Sequence, residues 1–528
     1  MPKADHRFHC FPSQTNLVFL LVLIILSLST SGRAISWSAD TLKTQIPHPR
    51  SLWHELSGLD NFDGARHQLY ASPHDSTATP LIWEAGPRGL ITPVSHSSFR
   101  IDMKAIGLVA SQWRPAHMPL DLLEYQPFLA DQTRFRWRWE TGFLVQLTGH
   151  FYLYQRTIVD SDRIIDPTAR VKEYDEIEAS LEVPTAVLGY RNGPLQIQVG
   201  RRWRRWGPGW SGSLVLDAAH PPADGFDLSY TAHRWSARFS FEQVDDFEGN
   251  DQAGDDKLAR YLSSHRLDLQ PFHQLRLGMT ETALIASDGP PPLWALNPLM
   301  PWALIQQESG SPHVTANIFW ALDTVWNPYS TVSLYGQFLL DDFQIDSEDR
   351  DTYPDQLGWL AGLLWRSSPP NPAGSSIGVN KAVFNLGLEY TRLSTWTYVH
   401  RDIPVRYQAW GAPLGHPTGP DSEAITGFWE WLSPHRRLRI LLLARRYLKG
   451  HIDLDTDEES TGQVDLPFPS PPVTPWTQLG AIVSWCGSAR VEVQGRIGWL
   501  EPTPEREQAW YTAVSLSWRF WTWQPRID

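Results

Sequence analysis

Two groups of arginine residues carry the clearest potential for chemistry in this sequence. Within each group the arginines stand two positions apart, so an extended strand would place their side chains on one face. A guanidinium group stays charged and binds carboxylates through paired hydrogen bonds. We therefore predict a surface that binds an anionic ligand. Its candidate ligand-binding residues are Arg134, Arg136, Arg138, Arg202 and Arg204.

A second interpretation gives the same arginines a structural role. On strands, Glu140 and Glu242 would share the arginine face and neutralise it through ion pairs. By the same alternation, Arg201 and Arg205 should lie on the opposite face, near an interface. The ligand-binding and the structural interpretations both stay open at this point.

Residues suited to hydrolysis are present, but their pairings do not define a catalytic constellation. His416 precedes Asp421, yet a chain with 18 histidines and many serines produces such pairs by chance. Asp341 and Asp342 are adjacent, so a strand would direct them to opposite faces, where they could not flank one glycosidic bond. We expect no enzymatic activity.

No metal, cofactor or nucleic-acid site is expected either. The run Asp453 to Asp457 imitates the start of a calcium loop, but Glu458 replaces the required glycine and Val464 replaces the bidentate glutamate. Outside the leader, Cys486 is a lone cysteine, too few for a cysteine-built metal site. The net charge of −13 argues against a nucleic-acid partner.

Strands must position these residues, because apolar and polar side chains alternate along residues 134–147. One face carries Phe135, Trp137, Trp139, Phe143, Val145 and Leu147, and the other carries Arg134, Arg136, Arg138, Glu140 and Gln146. Similar alternation recurs at 195–204, 235–242 and 510–520. A strand of about 9–11 residues spans a bilayer. The pattern favours a wall between lipid and a wet interior, with a soluble β-sandwich as the alternative.

The 27 tryptophans often stand near predicted strand ends, as in the aromatic girdles of membrane barrels. Residues 1–34 resemble a removable signal peptide, with Lys3 and Arg7 before the apolar stretch 17–26 and small residues near Ala34. A retained anchor is the alternative. Beyond residue 34, no run approaches the roughly 18 apolar residues of a transmembrane helix.

Chain length sets the expected number of strands. Residues 35–98 are proline-rich without sustained alternation, and we expect a small helical and looped periplasmic or plug-like element there. Residues 99–528 should form an all-β, antiparallel, up-and-down transmembrane barrel. At roughly 24 residues per strand and connection this gives about 18 strands, with 16 or 20 as alternatives. Short turns such as 191–194 should be periplasmic, and long acidic loops should be extracellular.

Four blocks, in order, resemble the Wzi-type capsule assembly family. They are Gly200-Arg201-Arg202-Trp203-Arg204-Arg205-Trp206-Gly207-Pro208-Gly209, Gly278-Met279-Thr280-Glu281 followed by Asn297-Pro298, residues 335–343, and residues 411–421. The resemblance implies an outer-membrane barrel that retains capsular or other exported polysaccharide at the cell surface, as a lectin does. It also implies outer-membrane lipid and the barrel assembly machinery as partners. A diffusion or substrate channel is the alternative function.

Three further expectations concern the lumen and the closing strand. The Gly-Pro-Gly at 207–209 should form a rigid bend of a structural loop that enters the lumen. Segments 35–98 and 294–302 are candidates to fill the lumen. The closing strand should run from Trp510 to Phe520, with 521–528 either extending it or forming a tail.

Overall fold

The computed structural model describes the chain in fourteen stretches. They are residues 98–112, 133–147, 150–160, 172–174, 179–217, 220–248, 257–302, 314–342, 356–367, 382–434, 437–456, 466–488, 491–500 and 509–523. The predicted signal peptide and almost all of the predicted element at 35–98 lie outside these residues.

The described residues are dominated by β-strands. In chain order these are β1 Ser98–Gln112, β2 Thr133–Leu147, β3 Phe151–Asp160, β4 Lys172–Tyr174, β5 Ala179–Asn192, β6 Leu195–Arg202, β7 Ala223–Thr231, β8 Trp235–Glu248, β9 Lys257–Phe272, β10 Leu275–Ser287, β11 Val314–Tyr329, β12 Val332–Asp342, β13 Gln356–Arg366, β14 Val383–Leu393, β15 Gln408–Ala409, β16 Ala412–Pro413, β17 Ser422–Leu432, β18 Leu438–Lys449, β19 Thr474–Ser488, β20 Val491–Leu500 and β21 Ala509–Trp523. Short 3₁₀ turns occur at Leu293–Leu296 and Ile403–Val405. Within the described stretches, no helix has the length and apolar character needed to cross a membrane.

The long strands pair antiparallel with their neighbours around a closed ring. Each long strand pairs with the next long strand in sequence, and β1 pairs with β21 to close the ring. The three-residue β4 pairs with the end of β5, and β15 and β16 form a separate hairpin. In the described residues, 18 strands therefore make the wall, which confirms the predicted all-β antiparallel fold with about 18 strands.

The two ends of the barrel differ in the length of their connections. At one end the turns are tight, as between β5 and β6, between β9 and β10, and between β11 and β12. Gly193 occupies the first of these turns with φ +54°, a conformation that glycine adopts readily. Most long connections lie at the other end, including those that follow β8, β12 and β18, whereas the long connection between β13 and β14 lies at the end with the tight turns. We call the end with most of the long connections the long-loop end.

The predicted alternation of wall residues is observed. On β8, Trp235 is 42% exposed on the outside, whereas the neighbouring Ser236 is 1% exposed. Exposed tryptophans also lie near the same end of the barrel on three other strands, as Trp326, Trp365 and Trp485. This arrangement matches one aromatic girdle of a membrane barrel. Other tryptophans, among them Trp206 and Trp302, are instead fully buried.

The closing strand is longer than expected. β21 continues past Phe520, and Trp521 and Trp523 lie opposite Met103 and Ile101 of β1. The register shifts between Met103 and Ala105, so β21 accommodates an extra residue before its final pairs. Residues 521–523 therefore extend the strand, and placing its end at Phe520 was wrong.

The prediction that segment 294–302 fills the lumen was also wrong. Its buried side chains pack with Phe239, Phe241, Ile285 and Ile318, which belong to the outward-facing sets of their strands. Apolar residues therefore cover the outside of the wall here. The sequence pattern did not distinguish this from lumen filling, because both surfaces can bury tryptophan.

Candidate functional site

A loop between β6 and β7 folds back into the barrel, and we call residues 203–217 the inner loop. Trp206, Trp210, Leu214, Val215 and Leu216 are buried among inward-facing residues of the wall. The Trp206 amide donates to the carbonyl of Leu216 at 2.9 Å, so the loop doubles back on itself. This confirms the predicted structural loop entering the lumen.

Glycine is required at the predicted bend. Gly207 has φ +150°, a backbone conformation that L side chains rarely adopt. At Gly212 an added Cβ would collide with the ring of His416. The glycines therefore allow the inner loop to turn sharply and to pack closely against a second inserted segment.

Two wall side chains anchor the inner loop by its backbone. Glu389 on β14 accepts hydrogen bonds from the amides of Trp210 and Ser211, the latter at 2.8 Å. Gln337 on β12 accepts from the Leu214 amide at 2.7 Å and donates to the Trp206 carbonyl at 3.3 Å. Buried backbone groups need such partners, so these wall residues fix the position of the loop.

The long connection between β14 and β17 packs against the inner loop. Hydroxyl groups of Tyr398 and Tyr407 donate to the carbonyls of Leu214 and Val215, each at 2.5 Å. Burial raises the pKa of both tyrosines, so both phenols remain protonated donors. The Asp217 amide donates to the Leu414 carbonyl at 2.8 Å. We call the inner loop and residues 394–421 together the plug.

A third connection, between β18 and β19, closes over the plug from the long-loop end. The carboxylate of Asp421 accepts from the amides of Ser470 at 2.9 Å and Ile452 at 3.2 Å. Lys449 donates to the carbonyls of Pro420 at 2.6 Å and Ile452 at 2.8 Å. The surface that faces out of the lumen is therefore built from several connections locked together.

The β15–β16 hairpin of the plug turns at Trp410-Gly411, where Trp410 is half-buried and Gly411 is exposed. Both turn residues have positive φ, +50° for Trp410 and +76° for Gly411. Two positive φ values are the signature of a type I′ turn. Tryptophan rarely adopts such a conformation, so the surrounding contacts must impose it.

Two charged wall residues hold this turn. Asp245 on β8 accepts from the Trp410 amide at 2.8 Å and pairs with Arg260 on β9 at 3.0 Å. Arg260 also donates to the carbonyls of Arg406 at 2.9 Å and Gln408 at 2.6 Å. The conformation of Trp410 is thus fixed from the wall.

The half-buried Trp410 ring lies at the mouth of the barrel. The buried ring of His220 lies nearly parallel to it, with 6.4 Å between centroids. Burial lowers the pKa of His220 to about 4, so this imidazole is neutral at pH 7. Three exposed residues lie near Trp410 in the sequence, namely Arg401, Asp402 and Gly411. The mouth combines an aromatic face with hydrogen-bonding groups.

The candidate arginines at the end of β6 and at the start of the inner loop are engaged with wall carboxylates. Arg202 contacts Asp227 at 2.7 Å, and Arg204 contacts Asp227 at 2.8 Å. Arg204 also pairs with Glu242, the carboxylate named in the structural interpretation. An acidic ligand would have to compete with these buried ion pairs. The ligand role of Arg202 and Arg204 stays a prediction.

Arg201 and Arg205 differ from each other. Arg201 pairs with the exposed Asp224 at 2.5 Å, on the face opposite Arg202. Arg205 is buried in the plug and contacts Asp217 at 3.1 Å. The predicted outward position of Arg205 is wrong, because β6 ends at Arg202 and strand alternation stops there.

The arginines of β2 are described only by their backbone. Arg134, Arg136 and Arg138 lie opposite Ala110, Leu108 and Ile106 of β1. Their side chains, and that of Glu140, lie outside the described part of the structure. Their ligand role also stays a prediction.

The histidine and serine residues of the plug do not form a hydrolytic triad. His416 Nε2 lies 3.1 Å from the Ser211 hydroxyl, but His416 Nδ1 faces the Thr418 hydroxyl at 2.8 Å. Asp421 binds Ser470 instead of His416. Burial lowers the pKa of His416 well below its usual value. Across the described stretches, no cluster of three or more His, Cys, Asp or Glu side chains could hold a metal ion.

Sequence reasoning missed Trp410 and the residues that hold it. Trp-Gly is not one of the residue pairs that favour a type I′ turn, and Asp245 and Arg260 are far away in sequence. Their meeting depends on the register of β8 and β9, which sequence patterning alone did not give.

The fold and site define a class of protein, in which the described strands form a closed 18-stranded antiparallel barrel and long connections after β6 and β14 fold into its lumen. The family model described as "Capsule assembly protein Wzi" matches residues 165–469. Because this match covers more than half of the chain, the chain belongs to the Wzi capsule assembly family.

Solved structures are similar to this chain at low sequence identity. Wzi of Escherichia coli, described as an outer membrane protein involved in group 1 capsule assembly and a carbohydrate-binding β-barrel, has a TM-score of 0.52 and 15% identity, covering 79% of this chain and 84% of that one. OccD3 of Pseudomonas aeruginosa has a TM-score of 0.44 and 9% identity, covering 82% and 92%. OccAB4 of Acinetobacter baumannii has 0.42 and 10%, covering 81% and 98%. A comparison with curated proteins gives no match.

Proposed function

We propose that this protein is an outer-membrane barrel that binds and retains capsular or other exported polysaccharide at the cell surface. The observation that carries this function is the family match over residues 165–469. That region contains both halves of the plug, the Trp410 turn and the wall residues that hold them. The plugged lumen fits retention at the mouth better than diffusion through the barrel.

The geometry supports Trp410 as the contact for sugar rings. An indole face packs well against the apolar face of a pyranose, while sugar hydroxyls need hydrogen-bonding partners around it. Gln408 and Asp455, which are joined at 3.0 Å, provide such groups close to the turn. Because Asp245 and Arg260 fix the turn from the wall, the indole face needs little ordering when a ligand binds.

We propose binding without catalysis at this site. The Ser211–His416 pair is fully buried in the plug, where a polymer would have no access to it. No carboxylate orients His416 Nδ1, which meets Thr418 instead. The orienting third group of a triad is therefore replaced by a hydroxyl.

Two further partners belong to this proposal. The outward leucines and valines of the wall, such as Leu388 and Val514, suit contact with outer-membrane lipid. The closed strand ring, with β21 as its final strand, suits insertion by the barrel assembly machinery. Insertion would place the tight turns in the periplasm and the mouth outside the cell.

The substitution Trp410→Ala tests the proposed site. We expect about tenfold weaker binding of the host's exported polysaccharide to the purified barrel, since losing one stacking contact costs about 1.4 kcal/mol. Cells carrying the variant should release more polysaccharide into the medium. Isothermal titration and assays of cell-bound against released polymer measure the two effects.

Trp235→Ala is the matched control, because it removes an indole from the outer wall at the opposite end of the barrel. It should leave binding unchanged. Heat-modifiable gel migration confirms that each variant is folded. A folded Trp410→Ala barrel that binds and retains polymer like the wild type would exclude Trp410 as the contact.

A further inference from the structure

A charge-free segment lies on the outer surface of the barrel at the long-loop end. Residues 289–302, which we call the outer strap, follow β10 and run Gly-Pro-Pro-Pro-Leu-Trp-Ala-Leu-Asn-Pro-Leu-Met-Pro-Trp. Ala295 and Trp302 are fully buried, and Trp294, Leu296 and Met300 pack around them. The strap is thus packed against the wall and forms part of the protein surface.

Strand alternation places the strap outside. On β9, Arg260 and Leu262 face the plug, Arg260 through hydrogen bonds and Leu262 through apolar packing. Ser263 has the opposite parity, and its hydroxyl donates to the Ala295 carbonyl at 2.6 Å. His265 has the same outward parity as Ser263. The centroids of the His265 and Trp302 rings are 3.7 Å apart.

The strap covers a polar pair on the outer wall. Glu281 on β10 faces outward opposite His265, with 3.4 Å between His265 Nδ1 and the carboxylate. Glu281 is only 5% exposed although it lies on the outer face. A carboxylate exposed to hydrocarbon would be strongly unfavourable. Trp302 and its neighbours therefore separate this pair from the surroundings of the barrel.

The outer side of the strap is apolar. Leu293 and Leu299 are 83% and 88% exposed, the most exposed large apolar side chains described, and no charged residue lies between them. Five of the fourteen strap residues are prolines. Proline has no amide N–H, so a proline-rich loop has fewer donors to satisfy in an apolar environment.

Exposed apolar residues of the wall continue below the strap. On β11, Leu322 is 51% exposed and shares the outward parity of Trp320, which packs against the strap. On β10, Leu277 has the outward parity of Glu281 and is also exposed. The apolar surface of the wall and that of the strap therefore adjoin on the same strands.

We propose that the outer strap inserts Leu293 and Leu299 into the adjoining membrane leaflet, as a lipid-contacting cover over the His265–Glu281 pair. The partner is the acyl region of the bilayer lipid. This inference rests on the proposed placement in the outer membrane, and it adds a contact that the strands of the wall do not provide.

Spin labels can test the contact in the full-length protein. Single cysteines replace Leu293 or Leu299 in a background with Cys10→Ser and Cys486→Ser, and each carries a nitroxide in phosphatidylcholine proteoliposomes. Power saturation compares collisions with oxygen, which concentrates in lipid, and with a water-soluble nickel chelate. Leu322→Cys reports the lipid-facing wall, and Asp402→Cys reports the aqueous mouth.

We expect Leu293→Cys and Leu299→Cys to match Leu322→Cys, with an oxygen-to-nickel accessibility ratio several-fold above that of Asp402→Cys. Strap labels that match Asp402→Cys, while Leu322→Cys is in lipid, would overturn the strap proposal alone. Water exposure at Leu322→Cys would instead overturn the membrane placement. Dipolar broadening between strap labels would show that a second copy of the chain occupies this surface, and would also overturn the proposal.

Discussion

The inner and outer faces of the barrel wall each carry a covering segment that contains buried tryptophans, but the two covers are held differently. The inner loop is fixed by carboxylate and amide side chains that bind its backbone, as Glu389 and Gln337 do. The outer strap is held mainly by packing around Trp302, with the Ser263 hydroxyl bonded to one of its carbonyls.

This difference follows from the chemistry of the two faces of the wall. The lumen is lined with charged groups such as Arg266 and Asp323, which pair at 2.7 Å and are buried, so a loop inside must satisfy many polar atoms. The outer wall is largely apolar, so a cover there gains stability by burying hydrocarbon. Polar anchors fix one geometry at the mouth, whereas apolar packing allows the strap to adapt.

The largest effect should come from removing a carboxylate on the inner face. Asp227→Ala leaves the buried guanidinium groups of Arg202 and Arg204 without their shared partner, which should lower the free energy of unfolding by on the order of 3–5 kcal/mol. Denaturant unfolding of the detergent-folded barrel measures this loss.

The control lies on the same strand but on the outer face. Asp224→Ala removes the exposed partner of Arg201 and should change stability by at most about 1 kcal/mol. Equal effects of the two substitutions would show that the inner and outer faces do not differ in the way described.

On the outer face, Trp302→Ala should loosen the strap. The loss of a fully buried indole costs about 3 kcal/mol, at the lower end for such changes because lipid can partly refill the space. Hydrogen exchange should increase at strap amides while plug amides stay protected. Trp302→Phe keeps most of the packing and should retain strap protection. Faster exchange throughout the plug would reveal a coupling between the two covers.

The architecture could be predicted from sequence, but the position of the two covers could not. A period of two is a local property, so Trp235 and Ser236 indicate their faces without any long-range information. Gly207, Pro208 and Gly209 likewise signalled a sharp bend. By contrast, Pro298 and Trp302 fit both a lumen plug and an outer cover, because an apolar segment does not specify which face it packs against.

The site was harder to predict than the fold because its contacts join distant parts of the chain. Arg202 and Arg204 attracted attention through their spacing, but their partner Asp227 lies on the next strand and depends on register. Trp410 depends on Asp245 and Arg260 in the same way. Residue type and spacing identified the charged candidates for ligand binding, Arg202 and Arg204. The aromatic candidate, Trp410, could be recognised only from the folded structure of the plug.

For a change of one pH unit, the smallest expected effect is a pH dependence of the plug. The neutral His220 has a folded pKa of about 4, so an open plug binds a proton that the closed plug excludes between about pH 6.5 and 4. The closed state should therefore lose about 1.4 kcal/mol per pH unit as the pH falls through this window, and stay constant above it.

His416, whose pKa is also lowered, adds a similar loss. Hydrogen exchange of plug amides at pH 7 and 5, corrected for intrinsic rates, measures the change. His220→Gln should reduce the slope by one proton, whereas His273→Gln at an exposed tight turn should not. An unchanged slope in His220→Gln would mean that this imidazole is not shielded by the plug.

The most direct test of the central claim is the conductance of the wild-type barrel in planar bilayers. If the plug closes the lumen and polysaccharide is held at the mouth, the wild type should show little stable conductance. Glu389→Ala, which removes the acceptor of two inner-loop amides, should produce openings. An 18-stranded barrel with an empty lumen is wide enough to conduct, so large, stable wild-type conductance would contradict a plugged, polysaccharide-retaining barrel.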